Sequence, residues 1–488
     1  MQDSWANNRP ERDAAGLMGS GLDLHVELSG PRVRVSLETA LRQAVQTGRL
    51  APGARLPPSR SLAADLGVAR NTVADVYGQL VAEGWLTARQ GSGTRVAEHP
   101  AAEAPAAAGP AENLPDSADA PRYSLKPGLP DLSEFPRAAW LAAARKAVMA
   151  APRRAFGYGD PRGQPELRAA LAAYLARARG VRATADQIVI CSGFTQGLST
   201  LSRVLAGSGA AAVGVEVYGH RQHREVIEAA GLSPLAVPVD PYGAVIDEVP
   251  DCAALLLTPA HQFPLGVALA PGRRQQAVAW AAHTGAVVIE DDYDGEFRYD
   301  RRAVGAMQAL APEHVIYAGT ASKTLAPAVR LGWLVVPRRM LADVISAKER
   351  ADRHGSGLDE LTLAEFIDSG GYDRHVRRSR LRYQRRRDRL IAALARAGLE
   401  PWVTGLAAGL HAVLHLPPGA AEDEVVAAAA ARGLTVDGMS TYRMPGVDHP
   451  EALVIGYGTP PAHAFTTAVT RLCAVLQAAQ ATSRPEER

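Results

Sequence analysis

Val287-Val-Ile-Glu-Asp-Asp-Tyr-Asp294 opens a pattern that Gly319-Thr-Ala-Ser-Lys-Thr-Leu-Ala-Pro-Ala-Val-Arg-Leu-Gly332 closes. A short apolar run, Val287 to Ile289, ends in carboxylates. A second, Val315 to Tyr317, ends in Gly-Thr-Ala-Ser-Lys. Apolar runs of this length that stop at polar groups read as buried parallel strands. Sheets of the α/β class bind ligands just outside the carboxyl ends of such strands.

Four lysines stand in the chain, Lys126, Lys146, Lys323 and Lys348, against a Lys+Arg total of 53. Arginine is the usual cation here. A lysine between Ser322 and Thr324, just past a buried strand, points to chemistry that a guanidinium cannot do. An amine can lose its proton and form a Schiff base. The plain alternative is a surface lysine without a role. Pyridoxal phosphate needs such a lysine, an acid that keeps its pyridine nitrogen protonated, and a phosphate cradle. Asp291 supplies an acid, Tyr293 a phenol for the ring hydroxyl, and Arg330 with Thr320 and Ser322 the phosphate contacts. Taken alone, Glu-Asp-Asp-Tyr-Asp also reads as a solvated acidic loop.

Glu290-Asp-Asp-Tyr-Asp-Gly-Glu-Phe297, followed by Ser322-Lys-Thr-Leu-Ala-Pro-Ala-Val-Arg-Leu-Gly332, resembles the aminotransferase-like half of the MocR/GabR regulators. Those are pyridoxal-phosphate-binding transcription factors with a winged-helix N-terminus. The likeness runs from residue 32 to 480. It implies a winged helix-turn-helix (α+β) joined to an α/β aminotransferase-like domain of fold type I, with a small C-terminal α+β subdomain. It also implies a homodimer, because cofactor sites of that fold form at a subunit boundary. The expected organisation is an N-terminal arm over 1–31, a winged helix over 32–97, a linker over 98–121, a large domain over 122–394, a small subdomain over 395–480 and a tail over 481–488.

With 488 residues the chain is too long for one small core. A hydrophobic content of 47% and a mean hydropathy of −0.08 are ordinary for a globular protein. No apolar run approaches the roughly 18 residues of a membrane span. Met1-Gln-Asp-Ser-Trp5 lacks a charged leader and apolar core. Cys191, Cys252 and Cys473 lie in apolar contexts and are odd in number, which favours reduced thiols and a cytoplasmic location.

The net charge of +2 hides an uneven distribution. Residues 32–97 hold nine arginines and no lysine against Glu38, Asp65, Asp75 and Glu83. Three helical patterns follow one another. Leu37, Leu41, Ala44 and Val45 recur at helical spacing until Gly48. Ser59 caps a second helix carrying Leu62, Ala63 and Leu66, with Gly67 beyond its end. Residues 68–83 form the third, with Val73, Tyr77, Leu80 and Val81 inward. The short Gly67 connection is a helix-turn-helix signal. Trp85-Leu-Thr-Ala88 and Arg89-Gln-Gly-Ser-Gly-Thr-Arg-Val96 read as a two-stranded wing with a Gly-Ser-Gly turn. Arg70, Asn71 and Thr72 open the third helix, where a recognition helix meets base edges. Arg89 and Arg95 flank the wing tip, within reach of phosphates or a minor groove. Arg55, Ser59 and Arg60 are placed for the DNA backbone at the second helix's start. The segment resembles the GntR-type winged helix in Gly48-Arg-Leu-Ala-Pro-Gly-Ala-Arg-Leu-Pro57 and Leu62-Ala-Ala-Asp-Leu-Gly-Val-Ala-Arg-Asn-Thr-Val73. The alternative is a small helical interaction module with a charged face.

Residues 98–121 are rich in Ala, Pro, Glu and Asp without periodicity, as in flexible linkers. Beyond them, Phe156-Gly-Tyr-Gly-Asp-Pro-Arg-Gly163 breaks into a loop before a helix over 165–179. In the resembling fold a tyrosine of this loop reaches the neighbouring subunit's cofactor phosphate, and Tyr158 matches it. Gln187-Ile-Val-Ile-Cys-Ser-Gly-Phe-Thr-Gln-Gly197 is strand, tight turn and helix start, which presents backbone N–H groups to an anion. Phe194 and Thr195 take the family's phosphate-contacting positions. His220 stands where relatives carry an aromatic ring that stacks on the pyridine. In Pro259-Ala-His-Gln-Phe-Pro-Leu-Gly266, Phe263 replaces an asparagine that true aminotransferases place on the ring hydroxyl, with His261 and Gln262 beside it.

Residues 374–389 are densely basic, which on a helix reads as a solvated face with a subunit contact; the alternative is a second nucleic-acid surface. The sharpest departure from the family falls in Leu453-Val-Ile-Gly-Tyr457. Aminotransferases hold the substrate carboxylate with an arginine there, and Val454 occupies its place; Arg443 or Arg221 would have to substitute. The resemblance thus implies a regulator rather than an enzyme: it binds operator DNA, takes pyridoxal 5'-phosphate on Lys323, and senses that cofactor or an amine or amino-acid effector. The runner-up is a working aminotransferase with an appended DNA-binding domain. A third reading keeps the C-terminal domain for dimerisation alone.

Overall fold

The structure is a computed structural model, and it describes residues 33–89, 93–98, 123–299, 304–399, 403–405 and 407–483. The chain divides into two compact units, Met1–Ala120 and Pro121–Arg488. The expected arm over 1–31, the wing turn at 90–92 and most of the expected linker lie outside the described residues. Among those described, no helix is long and apolar enough to cross a membrane.

The first unit is a three-helix core with a hairpin. Helix α1 spans Val33–Gln46, α2 Ser59–Leu66 and α3 Arg70–Ala82; strands β1 (Leu86–Arg89) and β2 (Gly93–Val96) pair antiparallel. One apolar cluster joins Leu37 and Leu41 of α1, Leu62 of α2, Val73, Val76, Tyr77 and Leu80 of α3, and Leu86 and Val96 of the hairpin. Burying each such side chain contributes about 1.5–3 kcal/mol, and the periodicity of 3.6 fixes which face turns inward. Three local expectations change. Ser59 is the first residue of α2 rather than its cap; Pro58 holds the cap position. Helix α3 begins at Arg70, with Val68 in the turn. Val76 joins the core, while Val81 is only partly buried.

The second unit is built on a seven-stranded sheet. Its strands, in chain order, are β3 (Ile188–Cys191), β4 (Ala212–Glu216), β5 (Ser233–Val237), β6 (Ala254–Leu257), β7 (Val287–Asp291), β8 (Val315–Thr320) and β9 (Gly332–Val335). Their spatial order is β3-β9-β8-β7-β6-β4-β5, and β9 alone runs against its neighbours. Both faces of the inner parallel strands are covered, so those strands are apolar up to the polar groups at their carboxyl ends. Ile188 and Ile190 of β3 pack on one side, Val189 and Cys191 on the other. Helices α4 (Arg137–Ala150), α5 (Pro165–Arg179) and α10 (Gly357–Asp368) cover the first face; α6 (Phe194–Gly207), α7 (Arg221–Ala229) and α9 (Arg338–Asp352) cover the second, and α8 (Pro271–Thr284) packs on Leu255, Leu257 and Val288. The ends of α5 were readable: Pro165 at its start and Gly180, with φ 72°, at its left-handed cap.

Helix α11 (Gly371–Arg396) leads into a four-stranded antiparallel sheet that includes β10 (His411–His415) and β11 (Ala452–Gly456), backed by α12 (Glu422–Ala431) and α13 (Ala462–Ser483). The basic run on α11 is only partly solvated. Arg386 is buried against Asp131 at 2.6 Å, and Arg380 donates to the carbonyl of Glu296 at 2.7 Å. These arginines tie the helix to the body, because a guanidinium's several donors can satisfy carbonyls and a carboxylate together.

Candidate functional site

Strands β3, β4, β6, β7 and β8 end around one cavity of about 220 Å³. Parallel strands bring their carboxyl ends together, so each ligand-facing group follows an apolar run. Asp291 closes β7, Glu216 closes β4, Thr320 closes β8, and Lys323 follows three residues later. All four line the cavity.

The acidic stretch is not a solvated loop. Glu290, Asp291, Asp292 and Asp294 are all buried. Glu290 accepts from the N–H groups of Met307 at 2.7 Å and Gln308 at 2.8 Å. Asp292 is held by Arg179 at 2.6 Å and by the hydroxyl of Tyr317 at 2.8 Å. Asp294 accepts from Nδ1 of His261 at 2.8 Å. Asp291 alone of the four has no such bond among the described residues, and its Oδ1 is buried without a partner. A buried carboxylate without a donor is costly. Burial pushes its pKa well above the ordinary range, against the opposing pull of Lys323.

Lys323 donates to the carbonyl of Gly128 at 2.6 Å. Burial lowers its pKa, while Asp291 and Asp294 act the other way. The neutral amine is therefore more accessible than on a surface lysine.

One edge of the cavity gathers groups whose chemistry suits an anion. The first N–H groups of α6 have no intrahelical acceptors, and Gly193, with φ 85° at the cap, offers no side chain to cover them. Phe194 and Thr195 begin the helix and line the cavity. Arg330 lies over this turn: a Cβ on Gly193 would come 3.5 Å from its Nη1. Ser322 and Thr320 are bonded to each other, hydroxyl to hydroxyl at 3.0 Å. The expected phosphate set is thus gathered at one edge.

The aromatic positions behave differently. His220 stacks on Phe263 at 4.2 Å and 14°, so one face of its ring is covered within the chain. Tyr293 lines the cavity, and its hydroxyl donates to the carbonyl of His261 at 3.0 Å. Tyr158 is 84% exposed, against His354 and Arg353, and does not line this chain's cavity. Neither proposed carboxylate anchor reaches the site. Arg221 is exposed and pairs with Glu225, and Arg443 donates to the carbonyl of Val447. Val454 is fully buried and packs with Phe263, Val413 and Tyr442.

Among the lining residues that the sequence pattern did not single out are Glu216, His223, Arg224 and His411. Glu216 carried the same signal as Asp291, a carboxylate ending an apolar strand. Burial pushes it to about 7. His223 and Arg224 follow His220 by three and four residues, one helical turn on α7. Arg224 donates weakly to the carbonyls of Gly219 at 3.3 Å and Arg443 at 3.2 Å. His411 enters from the small sheet and had no local signal. It lies with His261 and Asp294, their ligand-type atoms within 4.8 Å of one another. Its Nε2 donates to the carbonyl of Pro264 at 3.0 Å, so existing hydrogen bonds account for the cluster.

In the first unit Arg70 and Asn71 are exposed at the start of α3, Thr72 half-buried, and Arg60 exposed on α2 beside the half-buried Ser59. Arg55 lies against the wing, its Nε 3.2 Å from where a Cβ of Gly93 would stand. Arg89 faces Gly93 at the described end of the hairpin. Arg95 sits back from that end, opposite Thr87, and donates to the carbonyl of Gly53 at 2.9 Å.

Two family descriptions match the chain: bacterial regulatory proteins of the gntR family over residues 34–96, and aminotransferase class I and II over residues 129–453. The chain is 34% identical over 445 residues to the "HTH-type pyridoxine biosynthesis transcriptional regulator PdxR" of Corynebacterium glutamicum, covering 90% of this chain and 95% of that one. It is 34% identical over 386 residues to the "probable rhizopine catabolism regulatory protein MocR" of Rhizobium meliloti, covering 75% and 77%. Among solved structures, an archaeal alanine:glyoxylate aminotransferase superposes with a TM-score of 0.66 at 24% identity, covering 73% of this chain and 91% of the other.

Proposed function

Because this chain belongs to the MocR-type transcriptional regulators, in which a gntR-family helix-turn-helix precedes an aminotransferase class I and II domain, we propose that it binds pyridoxal phosphate on Lys323 and reads that occupancy out on operator DNA. The observation that carries this reading is Asp291, a buried carboxylate whose Oδ1 has no donor among the described residues, in one cavity with a lysine and a helix N-terminus that lacks a side-chain cap. Pyridoxal phosphate supplies an aldehyde carbon, a ring nitrogen that can hold a proton, and a dianionic phosphate.

The chain's own groups suit each part. Lys323, with its lowered pKa, offers a nucleophilic amine. Asp291 would accept from a protonated ring nitrogen. Tyr293 would offer its phenol oxygen to the ring hydroxyl. Thr195, Ser322, Arg330 and the N–H groups of α6 hold the phosphate, and Thr320 braces Ser322. Tyr158, exposed and outside this cavity, is suited to a second copy of the chain in a homodimer. Arg70, Asn71 and Thr72 read bases; Arg55, Ser59, Arg60, Arg89 and Arg95 position the duplex.

We favour the cofactor itself as the sensed molecule over an amino-acid effector. Val454 leaves no carboxylate anchor on β11, and turnover as an aminotransferase is disfavoured for the same reason. The relative from Corynebacterium glutamicum is named for pyridoxine biosynthesis, which accords with this choice. The test is borohydride reduction of the cofactor-treated chain followed by peptide mass analysis, alongside operator binding with and without cofactor. An adduct on Lys323 and a changed affinity for DNA are expected. No adduct at Lys323 overturns the assignment.

A further inference from the structure

The N-terminal turn of α6 has no side-chain cap on Gly193, yet it is not left loose. Gln196 holds it. Its amide oxygen accepts from the N–H of Ser192 at 2.6 Å. Its amide nitrogen donates to Oδ2 of Asp352 at 2.6 Å. Asp352 accepts in turn from Nζ of Lys348 at 2.8 and 3.0 Å. Lys348 is 1% exposed. A chain of bonds therefore runs from a buried ammonium in α9 to the backbone just ahead of the anion-facing turn.

The direction of that chain is forced. An ammonium only donates and an ionised carboxylate only accepts, so Asp352 must take its second bond from the Gln196 amide nitrogen. That turns the Gln196 oxygen toward Ser192. The bond consumes the N–H preceding Gly193 and leaves those of Phe194 and Thr195 for the cavity. Donors fixed in advance bind an anion without first having to be ordered.

We propose that Gln196, with Asp352 and Lys348 behind it, is a positioning residue that makes the cavity select a ligand carrying a phosphate at the α6 edge. This rests on reading the cavity as the pyridoxal phosphate site. Gln196 does not line the cavity, so its effect passes through the turn.

The test compares equilibrium binding of pyridoxal phosphate and of pyridoxal, which lacks the phosphate, to the full chain and to Gln196→Leu. Leucine removes both bonds at similar volume. Affinity for pyridoxal phosphate should fall about tenfold or more, while affinity for pyridoxal is unchanged, so the preference collapses. Equal losses for both compounds, or no loss, overturn the proposal. Should Gln196→Leu not fold, Asp352→Asn is read by the same ratio, with a smaller collapse expected. Wild-type chain that binds neither compound overturns the reading of the cavity itself, and this inference with it. Wild-type chain that binds both equally overturns the inference alone.

Discussion

Asp291 and Lys323 leave neighbouring parallel strands at the same end of the sheet, yet they form no ion pair. Asp291 lies opposite Ala318 in the register, and Lys323 follows five residues beyond that partner. The lysine gives its hydrogen bond to Gly128, and the carboxylate keeps one oxygen buried and bare. An acid and an amine kept apart in one cavity can each serve a different atom of a third molecule.

Asp291→Asn should weaken cofactor binding and strengthen the empty protein. The lost charge-assisted bond predicts about a tenfold to hundredfold fall in affinity. Because burial raises the folded pKa, the folded chain keeps a proton that the unfolded chain releases above about pH 3.9. Stability of the cofactor-free wild type is thus lost as pH rises from that value. The variant should melt higher at pH 7, by calorimetry, with the gap closing toward pH 4.

Lys323→Ala should abolish the borohydride-stable adduct while the melting temperature of the cofactor-free chain is held or raised. Removing a buried amine spares its desolvation. An adduct that persists on another lysine shows the wrong residue has been named.

Burial depresses His220 to about 3, His223 to about 4 and His411 to about 3. Their unfolded values lie near 6.5. The stability tied to their neutral forms is present above about pH 6.5 and lost as pH falls toward 4, at about 1.4 kcal/mol per pH unit for each proton. His411→Gln keeps a donor for the Pro264 carbonyl and should flatten the fall of the melting temperature between pH 6.5 and 4. An unchanged slope contradicts the assignment.

Arg70→Ala should cost about 1–3 kcal/mol of specific operator binding, by titration at fixed salt. Leu80→Ala acts on a different level. It empties the core of the first unit and should cost about 2–5 kcal/mol of that unit's stability. Both variants should keep the adduct on Lys323, because the two units have separate cores.

Much of this was legible before any coordinates. Helices α1 to α3 and the hairpin follow from apolar spacing and glycines, and the sheet strands from short apolar runs closed by polar residues. Glu216 carries the same signal, since it ends β4 as Asp291 ends β7. The caps of the first unit were less legible. Ser59 has a capping side chain, but Pro58 ahead of it pre-sets the backbone and takes the cap position.

The linear chain by itself determined the two kinds of unit, the scarce lysine and the acid that ends the neighbouring strand, because each rests on a signal within one turn or one strand. Tertiary structure alone decided which of four adjacent carboxylates is left bare, that His411 reaches the cavity from the small sheet, and that Lys348 steadies a turn on α6 through Asp352. Apart from the Lys348–Asp352 bond, which spans one helical turn, the partners behind those outcomes lie 17 to 156 residues apart. No local period encodes such a partner; it is chosen when packed elements bring the two groups together and exclude water between them.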